Sequence, residues 1–110
     1  MERTGPRAAQ SWVTRALLAT LMGFASLGCG NTLYFFQVNS ASSKVEQARE
    51  LGAEELAAYE YWVAYTHLMK AQEEAADADY SDAINFAEVS EEYADKAIQL
   101  ARQAHRGAGR

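Results

Sequence analysis

The chain has one cysteine, Cys29, and one proline, Pro6, among its 110 residues. A single cysteine closes no internal disulfide and supplies no cysteine-rich zinc site. Basic side chains are in the minority, 10 against 15 acidic, for a formal net charge of -5. That balance argues against nucleic acid, where neutralising phosphates supplies most of the affinity. No apolar run reaches the roughly 20 residues that a membrane-crossing helix needs. No stretch shows the apolar-polar alternation of a strand. Hydrophobic residues still make up 49% of the sequence, too many for a disordered tail, although much of that share is alanine. What is left is a small, acidic, helical chain with little core volume.

The first 28 residues have three parts. Arg3, Arg7 and Arg15 form a basic head offset only by Glu2, and Ala16 to Gly28 is an uncharged, mostly apolar run. Small residues then precede Cys29. A positive head, a short greasy segment and a small-residue cut point make the layout of a secretory signal. With no paired arginines ahead of the apolar run, the general secretion route is expected over the twin-arginine one. Ser26-Leu27-Gly28-Cys29 resembles the bacterial lipobox, in which the cysteine is diacylated, becomes the new amino terminus and gains a third chain. Gly28 fits that pattern, while Ser26 stands where an aliphatic residue is usual. The resemblance implies an N-acyl diacylglycerol group, palmitate among its chains, on Cys29. Gly30, rather than aspartate, after the cysteine implies delivery to the outer membrane, with the body on its periplasmic face. Two or more acyl chains make such attachment stable, where one is marginal. Without Arg3, Arg7, Arg15 and Glu2, 7 basic residues face 14 acidic ones, so the body is expected to stand off from anionic lipid.

The rest of the chain predicts three helices. In the first, Tyr34, Val38, Ala41, Val45 and Ala48 recur at steps of four and three. Its start is open, because Asn39, Ser40, Ser42 and Ser43 weaken helix propensity and Ser43 with Glu46 matches a capping box. The cluster Leu33-Tyr34-Phe35-Phe36 would lie near the anchor, where its rings suit an interface. Gly52 ends this helix. The second runs from Ala53 to Ala78 on Ala57, Tyr61, Ala64, Leu68, Ala71, Ala75 and Ala78. Asp79-Tyr80-Ser81 breaks it, with Asp79 or Ser81 as cap. The third runs from Asp82 to His105 on Ala83, Ala87, Ser90, Ala94, Ala97, Ala101 and Ala104, and Gly107 stops it. So short a turn makes the last two helices antiparallel. The expected fold is all-α: an antiparallel alanine-rich hairpin with a preceding packed helix, after an N-terminal signal segment. Its divisions are 1–28 (signal, removed), 29–39 (lipidated cysteine and tether), 40–106 (helical domain) and 107–110 (flexible tail).

With Tyr80, Ala83 and Ala87, the hairpin resembles a tetratricopeptide helix pair, although Asp79 replaces the usual glycine and one repeat makes no solenoid. The stretch from about Ala41 to Ala104 resembles a family of small bacterial lipoproteins grouped under a domain of unknown function. Ala48, Leu51, Gly52, Ala53, Tyr59, Glu60, Tyr61, Ala64, Leu68, Ala71, Tyr80, Ala83, Ala87, Ala94 and Ala97 carry the likeness. Ala58 stands where the family pattern has a proline opening the second helix. The resemblance implies location and helical form, and no catalytic residue.

Chemistry is sparse. His67 and His105 have no metal-ligand spacing and read as exposed helix-face residues. Asp77, Asp79, Ser81 and Glu88 match positions 1, 3, 5 and 12 of a calcium loop, but Asp82 occupies the position that demands glycine, and the segment continues a helical pattern. These residues read as an acidic helix cap, so no metal is expected. Trp62, Tyr65 and Met69 with Phe86, Val89 and Tyr93 read either as packing beneath the first helix or as a partner surface, because aromatics and methionine are enriched in interface cores. No acid-base pair or activated nucleophile is arranged for catalysis. The sequence therefore predicts a non-enzymatic, lipid-anchored module that tethers or scaffolds an envelope protein. It needs no cofactor, small-molecule substrate or nucleic acid. The alternative is a self-associating coiled-coil spacer of the cell envelope.

Overall fold

Helices account for nearly all of the computed structural model, which describes residues 10–18 and 29–109. They are α1 (residues 10–18), α2 (Cys29–Glu50), α3 (Ala53–Leu56), α4 (Ala58–Ala76) and α5 (Tyr80–Ala108), with no strand among the described residues. Most of residues 1–28, read above as a signal, including Ser26, Leu27 and Gly28, lies outside those residues; within that stretch α1 exposes Trp12, Val13, Leu17 and Leu18. No helix among the described residues is long and apolar enough to cross a membrane. The molecule is elongated, with a radius of gyration of 24.6 Å, where a globular chain of this length would have about 13 Å.

Side-chain pairs give the helix directions. Tyr59 meets Tyr93, Ser90 Oγ donates to the Ala64 carbonyl at 2.7 Å, and the His67 ring lies 5.9 Å from Phe86. One number falls as the other rises, so α4 and α5 run antiparallel. Against α2 the order is reversed: Gln37 and Ser40 reach Glu91, Lys44 reaches Asp95, and Leu51 O meets His105 Nε2 at 2.8 Å. Both numbers rise together, so α2 and α5 run parallel. α5 is therefore the shared member, packed along α4 on one side and α2 on the other.

The core is mostly alanine. On α5 the buried residues are Ala83, Ala87, Ser90, Ala94, Ala97, Ile98 and Ala101; on α4 they are Tyr61, Ala64, Leu68 and Ala71; on α2 Ala41, Val45 and Ala48. These follow the middle of the four-three stripes of the sequence. Toward the helix ends Tyr34, Val38, Ala75 and Ala104 are only half-buried and Ala78 is exposed, while Ile98, off the stripe, is buried. Small side chains let helix axes approach to the near end of the usual range of about 8–10 Å. Ser90 is the one buried polar residue among those described, and its hydroxyl is satisfied by the Ala64 carbonyl across the seam.

Several helix boundaries differ from expectation. α2 starts at Cys29, so the residues read as a tether (29–39) are helical, and Ser43 opens nothing. Tertiary contacts override the weak local propensity: Tyr34 packs 5.9 Å from Tyr80, Val38 lies against the core, and Gln37 donates to Glu91. The second helix is broken once, at Ala57 (φ -146°, ψ 51°), into α3 and α4. Periodicity misses so small a kink because hydrogen bonds persist across it, from Ala57 N to Ala53 O and from Tyr61 N to Ala57 O. α5 begins at Tyr80 rather than Asp82, with Asp79 Oδ1 accepting from Asp82 N at 3.3 Å as the cap. It runs to Ala108 through Gly107, where a glycine costs only about 1 kcal/mol and stops nothing by itself.

Gly52 does end α2, in the left-handed conformation at φ 75°. The α4–α5 turn uses the same geometry without glycine. Ala78 has φ 63°, with Ala78 N bonded to Ala75 O and Asp79 N to Glu74 O, the paired bonds of a Schellman motif. A Cβ in that region costs roughly 1 kcal/mol. Ala78→Gly is therefore expected to raise the unfolding free energy by about 1 kcal/mol in urea titrations. An unchanged or lower midpoint would show the turn to be unstrained.

Candidate functional site

The alanine seam decides where the large side chains go. With most inner positions filled by methyl groups, the aromatics other than the buried Tyr61 stand at the edges of the bundle. Trp62, Tyr65 and Met69 leave α4 toward α2 and remain exposed, Trp62 by 50%. They line an open groove of about 370 Å³ between α2 and α4, with Val45, Arg49 and Glu54 among its other walls. Along α4 the rings contact one another: Tyr61 and Trp62 meet edge-on at 5.1 Å, Trp62 and Tyr65 at 5.6 Å, while Tyr61 and Tyr65 stack at 6.4 Å. The spacing explains the two contacts of Tyr65, since residues three and four apart are neighbours on a helix. Tyr61 and Trp62 are adjacent in sequence and meet through the reach of their large rings.

The floor and rim of the groove have different chemistry. Tyr61 is buried, and its phenol is held above its usual range by burial first and then by the nearby Glu54 carboxylate. Arg49 pairs with Glu46 at the same end. An aromatic and methionine floor with a charged rim has the general anatomy of a protein interface. Such a groove can seat an apolar helix face.

Phe86, Val89 and Tyr93 do not join this surface. They are half-buried on α5, on the opposite flank of α4: Phe86 packs on the His67 ring, and Tyr93 meets Tyr59 at 6.2 Å. Lys96 Nζ lies 4.4 Å above the Tyr93 ring. The six residues that the sequence groups as one candidate surface thus divide between two faces. His67 is half-buried, with Nδ1 2.8 Å from the Val63 carbonyl, and only His105 is an exposed histidine.

The acidic turn is also rearranged. Glu88 sits two turns along α5 from Asp77 and Asp79, so the calcium-loop spacing does not converge. The carboxylates that do approach are Glu74, Asp79 and Asp82, with oxygens within 4.8 Å of one another; Asp79 and Asp82 are exposed, and Asp79 acts as the cap of α5.

One polar cluster was missed by sequence reasoning. Glu91 accepts from Gln37 Nε2 at 3.0 Å, from Ser40 Oγ at 2.9 Å and from Lys44 Nζ at 2.7 Å; Lys44 also reaches Asp95 at 2.7 Å. The Lys44 hydrogen bond holds the Glu91 carboxyl below the usual carboxylate range against the opposing effect of burial, with Ser40 assisting. Bonds to Asp95 and then Glu91 hold the Lys44 ammonium above its usual range. The sequence signal was available: Lys44 is the first charged residue after Arg15, and it sits on the half-buried side of α2.

Comparison with known proteins adds one finding. Residues 36–108 match the family described as "Domain of unknown function (DUF4398)". No curated protein and no solved structure matches the chain.

Proposed function

We propose, for a chain that belongs to the DUF4398 family, a non-enzymatic role as a lipid-anchored helical module of the cell envelope. Cys29 carries the acyl anchor at the periplasmic face of the outer membrane, and the α2–α4 groove docks an envelope protein. The observation that supports docking best is the exposed Trp62-Tyr65-Met69 edge. Tryptophan and tyrosine in a partly enclosed pocket are the residue types that dominate binding energy at interfaces. The mechanism is tethering: confinement at a membrane raises the local concentration of one partner around the other without any new contact. The lipobox-like segment before Cys29 supports the anchor, and α2 carries that residue at its first position.

The test is photo-crosslinking in intact cells from a reactive residue at position 65. A discrete adduct with a second protein is expected, falling at least tenfold in Trp62→Ala while circular dichroism and the melting midpoint hold. Equal collapse of adduct and helical signal would make Trp62 a structural residue and remove the docking reading. An adduct with a second copy alone would favour the self-associating spacer. Labelled fatty acid in the wild-type product, absent from Cys29→Ser, is the matching expectation for the anchor.

A further inference from the structure

We propose that the first turns of α2 insert into the lipid surface beside Cys29, with Leu33, Phe35 and Phe36 as the inserted side chains. This deepens the anchored reading above and rests on it. Leu33, Phe35 and Phe36 are exposed by 55%, 59% and 66%. On the helical wheel Tyr34 and Val38 face the bundle, against Tyr80 and the core. Leu33, Phe35 and Phe36 then spread over the remaining arc, which no described element covers.

Charge points to lipid as the occupant. Between Arg15 and Lys44 there is not one Asp, Glu, Lys or Arg, so this turn itself carries no ionised group out of water when it enters an interface. The body that follows is strongly acidic. A protein partner is held in register by a charged or polar rim, as at the α2–α4 groove; the Phe35–Phe36 turn has no charged residue of its own to supply one. A fluid surface requires no register.

The fold also limits the depth. Leu33 lies roughly 6 Å and Phe36 roughly 10 Å along the helix from Cys29 at 1.5 Å per residue, close enough for an anchor on Cys29 to hold these side chains at the lipid surface. The Tyr34–Tyr80 contact brings the α4–α5 turn alongside, with exposed Asp77, Asp79 and Asp82. Those carboxylates stop at the headgroups. Asn39, further along α2 and exposed, stays in water. Zwitterionic lipid suits this end better than anionic lipid, which would repel the turn.

The experiment uses the acylated full-length product, purified and reconstituted into phosphatidylcholine vesicles. Cysteine is placed singly by Phe36→Cys, Asn39→Cys or Asp77→Cys and challenged with a water-soluble maleimide. Position 36 is expected to label at least tenfold more slowly than positions 39 and 77, the three rates converging after denaturation. Equal rates on a chain that carries fatty acid would overturn insertion and leave the anchor standing. Protection in native membranes but not in vesicles would also overturn it, in favour of a protein cover. A product lacking fatty acid would instead overturn the anchored reading, and insertion with it.

Discussion

Replacing Ala94 by leucine is expected to lower the unfolding free energy by about 3 kcal/mol, the upper end of the usual overpacking cost. Ala94 is fully buried on the face of α5 that belongs to the shared core, together with Ala41, Val45 and Ala57. Ala94 has no exposed surface, so a leucine there must push helices apart. A body of this size is stable by only roughly 4–12 kcal/mol, and the same change corresponds to a fall of about 15 °C in melting midpoint. Gln99→Leu, on the exposed side of α5, is expected to stay within about 0.5 kcal/mol of wild type. Chemical denaturation of the two variants decides the matter. Equal stabilities would mean that the alanine seam is not close-packed.

Lys44→Glu is expected to cost about 2 kcal/mol, the order found for hydrogen bonds to charged groups. It removes the donor that Glu91 and Asp95 share and puts a third carboxylate beside them. Lys44 and Glu91 keep only 30% and 23% of their side-chain exposure, so water screens this loss less than at an open surface pair. The same cluster gives a pH dependence. Because Glu91 is held below its usual range in the folded protein, its contribution is present above the unfolded carboxylate value and is lost as pH falls through the folded one. Lys44, held above its usual range, contributes until pH rises through its folded value. Stability from this cluster is thus flat near neutrality and declines at acid pH. Glu91→Gln is expected to be less stable than wild type at neutral pH and to lose less on acidification. Parallel acid branches would rule out a role for Glu91 in that decline.

Much of the fold was legible because alanine at four-three spacing has one reading. Ala83, Ala87, Ser90, Ala94, Ala97 and Ala101 are all buried where the stripe puts them. The start of α2 was less legible, because its serines and asparagines argue locally against a helix that Tyr80 and Glu91 stabilise from far away in sequence. The candidate surface was half legible. Spacing shows that Trp62, Tyr65 and Met69 share a flank of α4, and that Phe86, Val89 and Tyr93 share a flank of α5. It does not show which side of the seam each flank takes, since that depends on where α2 lies. Only the geometry separates the groove from the Tyr59–Tyr93 edge.

A contact surface made of methyl groups is smooth. It has few knobs to catch in facing holes, so shape alone resists poorly a slip of α5 by one turn, about 5.4 Å, past either neighbour. Longitudinal position is then enforced by polar pins: Ser90 on the Ala64 carbonyl, Lys44 between Glu91 and Asp95, and His105 on Leu51 O. In this bundle alanine lets the rods lie close, and a handful of hydrogen bonds stops them sliding.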